Sequence, residues 1–196
     1  MGVEYELKYR AAESQLAAIR QAFPGEEHSI TMQTTYFDTP AGDFAARRWT
    51  LRRRLENGVS VCTLKTPAEA GGRGEWELTC DSIEEALPAL CQAGGIPAPD
   101  LSQGLIPICG AAFTRIAKTL VFPDFTGELA LDQGVLTGGD RQTPLCEVEI
   151  ELKSGSREAL DAFGRQLRQT FGLQKEPKSK FRRALALAKG EEHGTL

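Results

Sequence analysis

Histidine is nearly absent from this chain: His28 and His193 are the two imidazoles in 196 residues. That scarcity argues against a histidine-built metal centre or a Ser-His-Asp triad. The five cysteines (Cys62, Cys80, Cys91, Cys109, Cys146) form no CxxC and no zinc-ligand spacing. An odd, scattered set fits reduced thiols in a cytosol-like compartment. No GxxxxGK[ST] occurs, so phosphate is not expected on a P-loop. No apolar run approaches the ~18 residues that a membrane helix needs. The N-terminal MGVEYELKYR, charged from residue 4, is unlike a secretory signal peptide. A cytoplasmic protein with no membrane partner is therefore expected. Positive charge is not in excess, with 23 Lys+Arg against 27 Asp+Glu and a net charge of -4. Nucleic acid is accordingly not an expected partner.

What is present is an ordinary globular composition, 41% hydrophobic and 26% charged. A chain of this length buries roughly 70% of its unfolded surface, enough for one core without staples. Strands are expected over residues 3–10, 31–38, 49–56, 59–66, 73–80, 112–122, 127–132 and 145–153. Asn57-Gly58 reads as a hairpin turn. Helices are expected over Ala12–Phe23, from Ser82 to about Ala93 with a Ser82/Glu85 capping box, over Ser156–Phe171, and over Ser179–Ala188. Residues 96–108, with three prolines, read as an irregular connection, Gly134 and Gly138-Gly139 as turns, and 190–196 as a disordered tail. His28 reads as a loop residue, Arg47, Arg48 and Arg53 as a solvated rim cluster, and Tyr5 and Trp76 as apolar-face packing. This is an α+β pattern with an antiparallel sheet or barrel.

Strand side chains alternate between faces with period two. Glu4, Glu6 and Lys8 oppose Val3, Tyr5, Leu7 and Tyr9. Glu75 and Glu77 oppose Trp76 and Leu78, while Glu147, Glu149, Glu151 and Lys153 oppose Val148, Ile150 and Leu152. Arg52 and Arg54 oppose Leu51 and Leu55, with Arg53 an exception on the apolar side. A merely solvated face mixes Ser, Thr, Gln and Lys, whereas every residue of these rows is ionised and most rows carry runs of one sign. Like charges on neighbouring strands repel, so acidic rows need a counter-charge. A sheet closed with its charged face inward would let these carboxylates share an interior with Lys8, Arg52, Arg54 and Lys65. Carboxylates without His or Cys suit hard cations such as Mg²⁺ or Mn²⁺. Arg and Lys clusters suit phosphate oxygens. Together they describe a site for a metal-chelated polyphosphate.

Glu4-Tyr5-Glu6-Leu7-Lys8 is similar to the N-terminal ExExK signature of the CYTH superfamily, the triphosphate tunnel metalloenzymes. The likeness continues in order through Tyr36-Phe37-Asp38-Thr39, Leu51-Arg52-Arg53-Arg54, Thr63-Leu64-Lys65 and Arg73-Gly74-Glu75-Trp76-Glu77. Arg115, Leu131-Asp132, Glu147-Val148-Glu149 and Ser179-Lys180 complete it. The resemblance implies a single CYTH domain over about residues 1–189, a closed eight-stranded antiparallel β-barrel (a tunnel) with a polar interior and helices packed outside. It implies a metal-dependent triphosphatase, closest to bacterial inorganic triphosphatases, acting on a small-molecule triphosphate with Mg²⁺ or Mn²⁺. Glu4, Glu6, Asp132, Glu147 and Glu149 resemble the family's metal-holding set. Lys8, Arg52, Arg54, Lys65, Arg115 and Lys180 resemble its phosphate-binding cations, and Glu75 and Glu77 further acidic lining around substrate. Glu4, Glu6, Lys8, Arg52, Arg54 and Lys65 are the catalytic candidates. One departure is Phe113, where several relatives carry Lys. Thiamine triphosphatase, nucleotide triphosphatase, class IV adenylate cyclase and a non-catalytic polyphosphate binder are the alternatives, and a homodimer is left open.

Overall fold

The computed structural model describes residues 5–67 and 73–191. Glu4 and residues 192–196 of the expected tail lie outside the described residues. The strands are β1 (Glu6–Arg10), β2 (His28–Asp38), β3 (Thr50–Glu56), β4 (Val59–Pro67), β5 (Arg73–Thr79), β6 (Ile106–Val121), β7 (Phe125–Gly138), β8 (Arg141–Gly155) and β9 (Gln174–Lys175). The helices are α1 (Glu13–Ala22), α2 (Asp43–Ala46), α3 (Ile83–Gly94), α4 (Arg157–Phe171) and α5 (Lys180–Ala188). Hydrogen bonds order the strands β5-β4-β3-β2-β6-β7-β8-β1-β9. The fold is thus an antiparallel sheet with helices, as expected.

The expected closure into eight strands is not what these hydrogen bonds draw. Among the described residues the sheet has nine strands and ends at β5 and β9. The C-terminal end of β1 pairs on its other side with β9, Tyr9 opposite Lys175 and Arg10 opposite Gln174. Other expectations need shorter corrections. Strand β6 begins at Ile106 and carries Pro107 as its second residue, a position where a strand tolerates a missing N–H. Strand β7 runs through Gly134 to Gly138, and the turn falls at Gly139, whose φ is +58°. Gly138 is required in that strand because a Cβ there would strike the backbone of α5 at Ala184 and Ala188. His28 opens β2 instead of lying in a loop.

The chain divides into two compact units. The first comprises Met1–Ile30, Phe113–Val135 and Pro144–Ser179. Its core joins Tyr9, Val148 and Ile150 of the sheet to Leu16 and Ile19 of α1 and to Leu160 and Leu167 of α4. Leu16 and Ile19 are three residues apart, and Leu160 and Leu167 are seven apart, spacings that keep each pair on one helical face. Ser156 starts α4, its hydroxyl accepting from the Ala159 N–H at 3.2 Å. Gly164 lets α4 approach β1, since a Cβ there would meet Leu7 and Tyr9. Each fully buried Leu or Ile contributes about 1.5–3 kcal/mol.

The second unit comprises Thr31–Ala112, Leu136–Thr143 and Lys180–Leu196. Leu51, Cys62 and Leu64 pack with Phe44 of α2 and with Ile83, Ala86, Leu87 and Leu90 of α3, and Trp76 lies against this cluster. Ser82 caps α3 by accepting from the Glu85 N–H at 3.2 Å, and Gly95 ends it with φ +61°. The short helix α2, absent from the sequence reading, is organised by Asp38. That buried carboxylate accepts from the N–H groups of Thr39 (2.8 Å), Phe44 (2.9 Å) and Ala45 (3.0 Å). The Asp38-Thr39 pair thus ties the end of β2 to the start of α2.

Candidate functional site

In the first unit, β1 and β8 pair so that Glu6 faces Glu151, Lys8 faces Glu149 and Arg10 faces Glu147. Direct cross-strand partners share a face of the sheet. The ionised face is therefore opposite the face that carries Leu7, Tyr9, Val148 and Ile150 into the core. From β7, Asp132 joins the acidic row: one carboxylate oxygen each of Asp132, Glu147 and Glu149 lies within 4.8 Å of the others. The Asp132 and Glu147 side chains are fully buried. Three carboxylates converging without His or Cys form the donor set that hard divalent cations prefer, so the residues fit Mg²⁺ or Mn²⁺.

Arg115, from β6, neutralises part of this charge. Its Nε donates to Asp132 Oδ1 at 2.7 Å and its Nη2 to Asp132 Oδ2 at 2.8 Å, and Nη2 also pairs with Glu149. Burial works against the guanidinium charge, but the Asp132 hydrogen bonds and the Asp132 and Glu149 charges outweigh it and hold its pKa above the ordinary arginine value. A cavity of about 40 Å³ beside it is lined by Glu6, Arg115, Glu128, Ala130, Glu149 and Glu151. Lys8 Nζ lies 2.9 Å from Glu6, and Lys153 Nζ 2.7 Å from Glu151. Phe113 is buried, and the Arg115 guanidinium carbon stands 6.0 Å from its ring centre. Lys118 points the other way and donates to the Arg20 and Phe23 carbonyls at the end of α1, at 2.8 and 2.6 Å.

The second unit collects the cations. Across β3, β4 and β5, Arg52 is paired with Thr63, Thr63 with Glu77, and Lys65 with Glu75. Arg52 Nη2 lies 3.6 Å from Glu75 and 3.3 Å from Glu77, while Lys65 Nζ lies 2.7 Å from Glu75. Thr63 donates its hydroxyl to Glu77 at 2.9 Å. Glu75 and Glu77 are thus the counter-ions of Arg52 and Lys65. Arg54 pairs with Glu56 at 2.9 Å. The Nε atoms of Arg52 and Arg54 are nonetheless buried with no hydrogen-bond partner among the described residues. Orphaned, buried guanidinium donors are costly unless a bound acceptor completes them. Arg53 sits on the apolar side, as expected, and donates to the Asp81 carbonyl at 2.8 Å. Lys180 is the first residue of α5 and is half-buried. Phe181 of that helix packs on Tyr36 with tilted rings, their centres 4.9 Å apart, and Tyr36 is the cross-strand neighbour of Arg52.

The sequence reading omitted Glu128 and Arg10, although the alternation carried both. Glu128 is two steps of two before Asp132, and Arg10 continues the Glu6, Lys8 face. Glu176 is also new: it is fully buried, and its carboxylate pairs with the Arg10 guanidinium. No periodicity marks a turn residue such as Glu176, so nothing local could have singled it out.

Comparison with known proteins agrees with these observations. The CYTH domain family matches residues 2–185. An inorganic triphosphatase of Haemophilus influenzae is 32% identical over 142 residues, which is 70% of this chain and 40% of that protein. The chain therefore spans well under half the length of this relative. Among solved structures, a Hippeastrum protein named for adenylyl cyclase and described with a dominant triphosphatase activity superposes with a TM-score of 0.66 at 20% identity, covering 96% of this chain and 97% of that one. A Bacillus halodurans protein named for adenylate cyclase gives 0.61 at 21% identity, covering 92% and 96%. A Pyrococcus horikoshii protein gives 0.58 at 23% identity, covering 95% and 99%. At such identities these structures speak for the fold.

Proposed function

This chain belongs to the CYTH family, and from that premise we propose that it hydrolyses a triphosphate with the help of a divalent cation, inorganic tripolyphosphate being the first substrate to test. The observation that carries the reading is the convergence of Asp132, Glu147 and Glu149 within 4.8 Å, with a guanidinium among them. These three, with Glu6 and Glu4, would hold Mg²⁺ or Mn²⁺. A bound cation of this kind neutralises phosphoryl oxygens and polarises the phosphorus under attack. Arg52, Arg54 and Lys65 are the phosphate-binding cations of this reading, supported by the orphaned Nε atoms of the two arginines. Lys8, Arg115 and Lys180 are further phosphate contacts. Glu75 and Glu77 keep Arg52 and Lys65 extended and oriented, at 2.7–3.6 Å. Phosphoryl transfer needs little covalent chemistry from the protein, so positioning and charge carry most of the rate.

Phosphate release from tripolyphosphate, thiamine triphosphate and ATP, each with Mg²⁺, with Mn²⁺ and with chelator, tests the reading. Release from at least one triphosphate, abolished by chelator and reduced by 100-fold or more in Glu147→Gln, is expected. Undiminished turnover in that variant would remove Glu147 from the metal site. Cyclic nucleotide from ATP without phosphate release would replace hydrolysis by cyclisation.

A further inference from the structure

Both oxygens of Asp132 and one of Glu149 are already engaged by Arg115. These are two of the three carboxylates that would ligate a divalent cation. A guanidinium forked onto Asp132 repels a dication a few ångströms away and competes for the same lone pairs. Arg115 is also the one cation that β6 places on this face, because Lys118 is committed to the end of α1. The Phe113 ring, two residues before it on the same face, lies under the guanidinium at 6.0 Å and carries no charge to compete with the carboxylates. Beside the guanidinium lies the small cavity walled by Glu6, Glu128, Glu149 and Glu151. The same planar fork that fits a carboxylate also fits a phosphate.

We propose that Arg115 is a resident counter-ion of the acidic cluster, released from Asp132 and Glu149 when a divalent cation enters and then free to grip a phosphate. This inference rests on the metal-site reading above. It adds that the arginine and the metal exclude one another, so that metal and phosphate binding are coupled through one side chain. Coupling between two sites of this kind is commonly five- to 150-fold.

The test is Mn²⁺ affinity of the full chain, measured calorimetrically without substrate, in the wild type, Arg115→Gln, Arg115→Lys and Glu147→Gln. Arg115→Gln is expected to bind Mn²⁺ on the order of ten-fold tighter than wild type. Arg115→Lys keeps the charge but loses the fork, and is expected to fall between them. Mn²⁺ should also raise the melting temperature of Arg115→Gln more than that of the wild type, since the ion replaces the missing counter-charge. Equal or weaker affinity in Arg115→Gln, with wild-type binding that Glu147→Gln abolishes, would overturn the inference and leave the metal site standing. If Arg115→Gln does not fold, Arg115→Lys decides, and wild-type affinity there would overturn it. Absence of Mn²⁺ binding from every variant would overturn both.

Discussion

Arg52 and Arg54 show how far single residues can be read. Each is held by glutamates through its terminal nitrogens, yet each keeps a buried Nε with no protein acceptor among the described residues. A charge-assisted hydrogen bond is worth about 1.5–3 kcal/mol, so Arg52→Gln or Arg54→Gln is expected to raise the KM for a triphosphate roughly 10- to 100-fold. Mn²⁺ affinity measured without substrate should not change, because both side chains pair with glutamates of their own unit, Glu75 and Glu77 for Arg52 and Glu56 for Arg54. Arg115 is the opposite case: it touches the metal candidates directly, so its substitution should register in both measurements. Parity of position along a strand already separated Arg52 and Arg54 from Arg53, and Arg115 from Lys118. It did not say that Arg115 would lie on Asp132.

At the scale of the element, α1 is anchored at its last turn by Lys118. Its ammonium meets the Arg20 and Phe23 carbonyls and lies 2.8 Å from Glu27. Helix ends leave carbonyls unsatisfied and favour a cation there. Lys118→Met is therefore expected to cost about 2 kcal/mol in urea unfolding at neutral pH. Hydrogen bonds from Arg20 and then Lys118 lower the Glu27 carboxyl to about 2. Its folded value lies below the ordinary unfolded value of about 4.3, so the stability it adds is complete above about pH 5 and drains as pH falls toward 2. Glu27→Gln should flatten the decline of the urea midpoint between about pH 5 and pH 3. The elements themselves were legible where the apolar spacing was strong, as in α1, α3 and α4. They were misjudged where proline and glycine dominate, because Pro107 and Gly138 owe their places to strand position and to α5 rather than to turn chemistry.

Across the whole molecule, all five cysteines are free thiols. Burial, and secondarily the nearby Cys80, pushes the Cys62 thiol up to about 11, and burial pushes Cys109 up to about 12. Thiolate is the reactive form, so both are expected to resist alkylation in the native state. Iodoacetamide labelling at about pH 8, read by mass spectrometry, should leave Cys62 and Cys109 unmodified until urea unfolds the chain. Rapid native labelling of either would contradict the burial on which its core depends. Among the described residues no helix is long and apolar enough to cross a membrane.

Taken alone, the order of residues determined which side chains share a face, because extended backbone turns each successive side chain over regardless of context. It also determined that ionised rows would need counter-charges, since neighbouring strands cannot carry bare like charges. Which carboxylates meet which cations was decided only by tertiary structure. Asp132, Glu147, Glu149 and Arg115 come from three strands, and their meeting depends on inter-strand register, which no local pattern encodes. The same holds for the edge of β1, where Gln174 and Lys175, from beyond α4, pair with Arg10 and Tyr9.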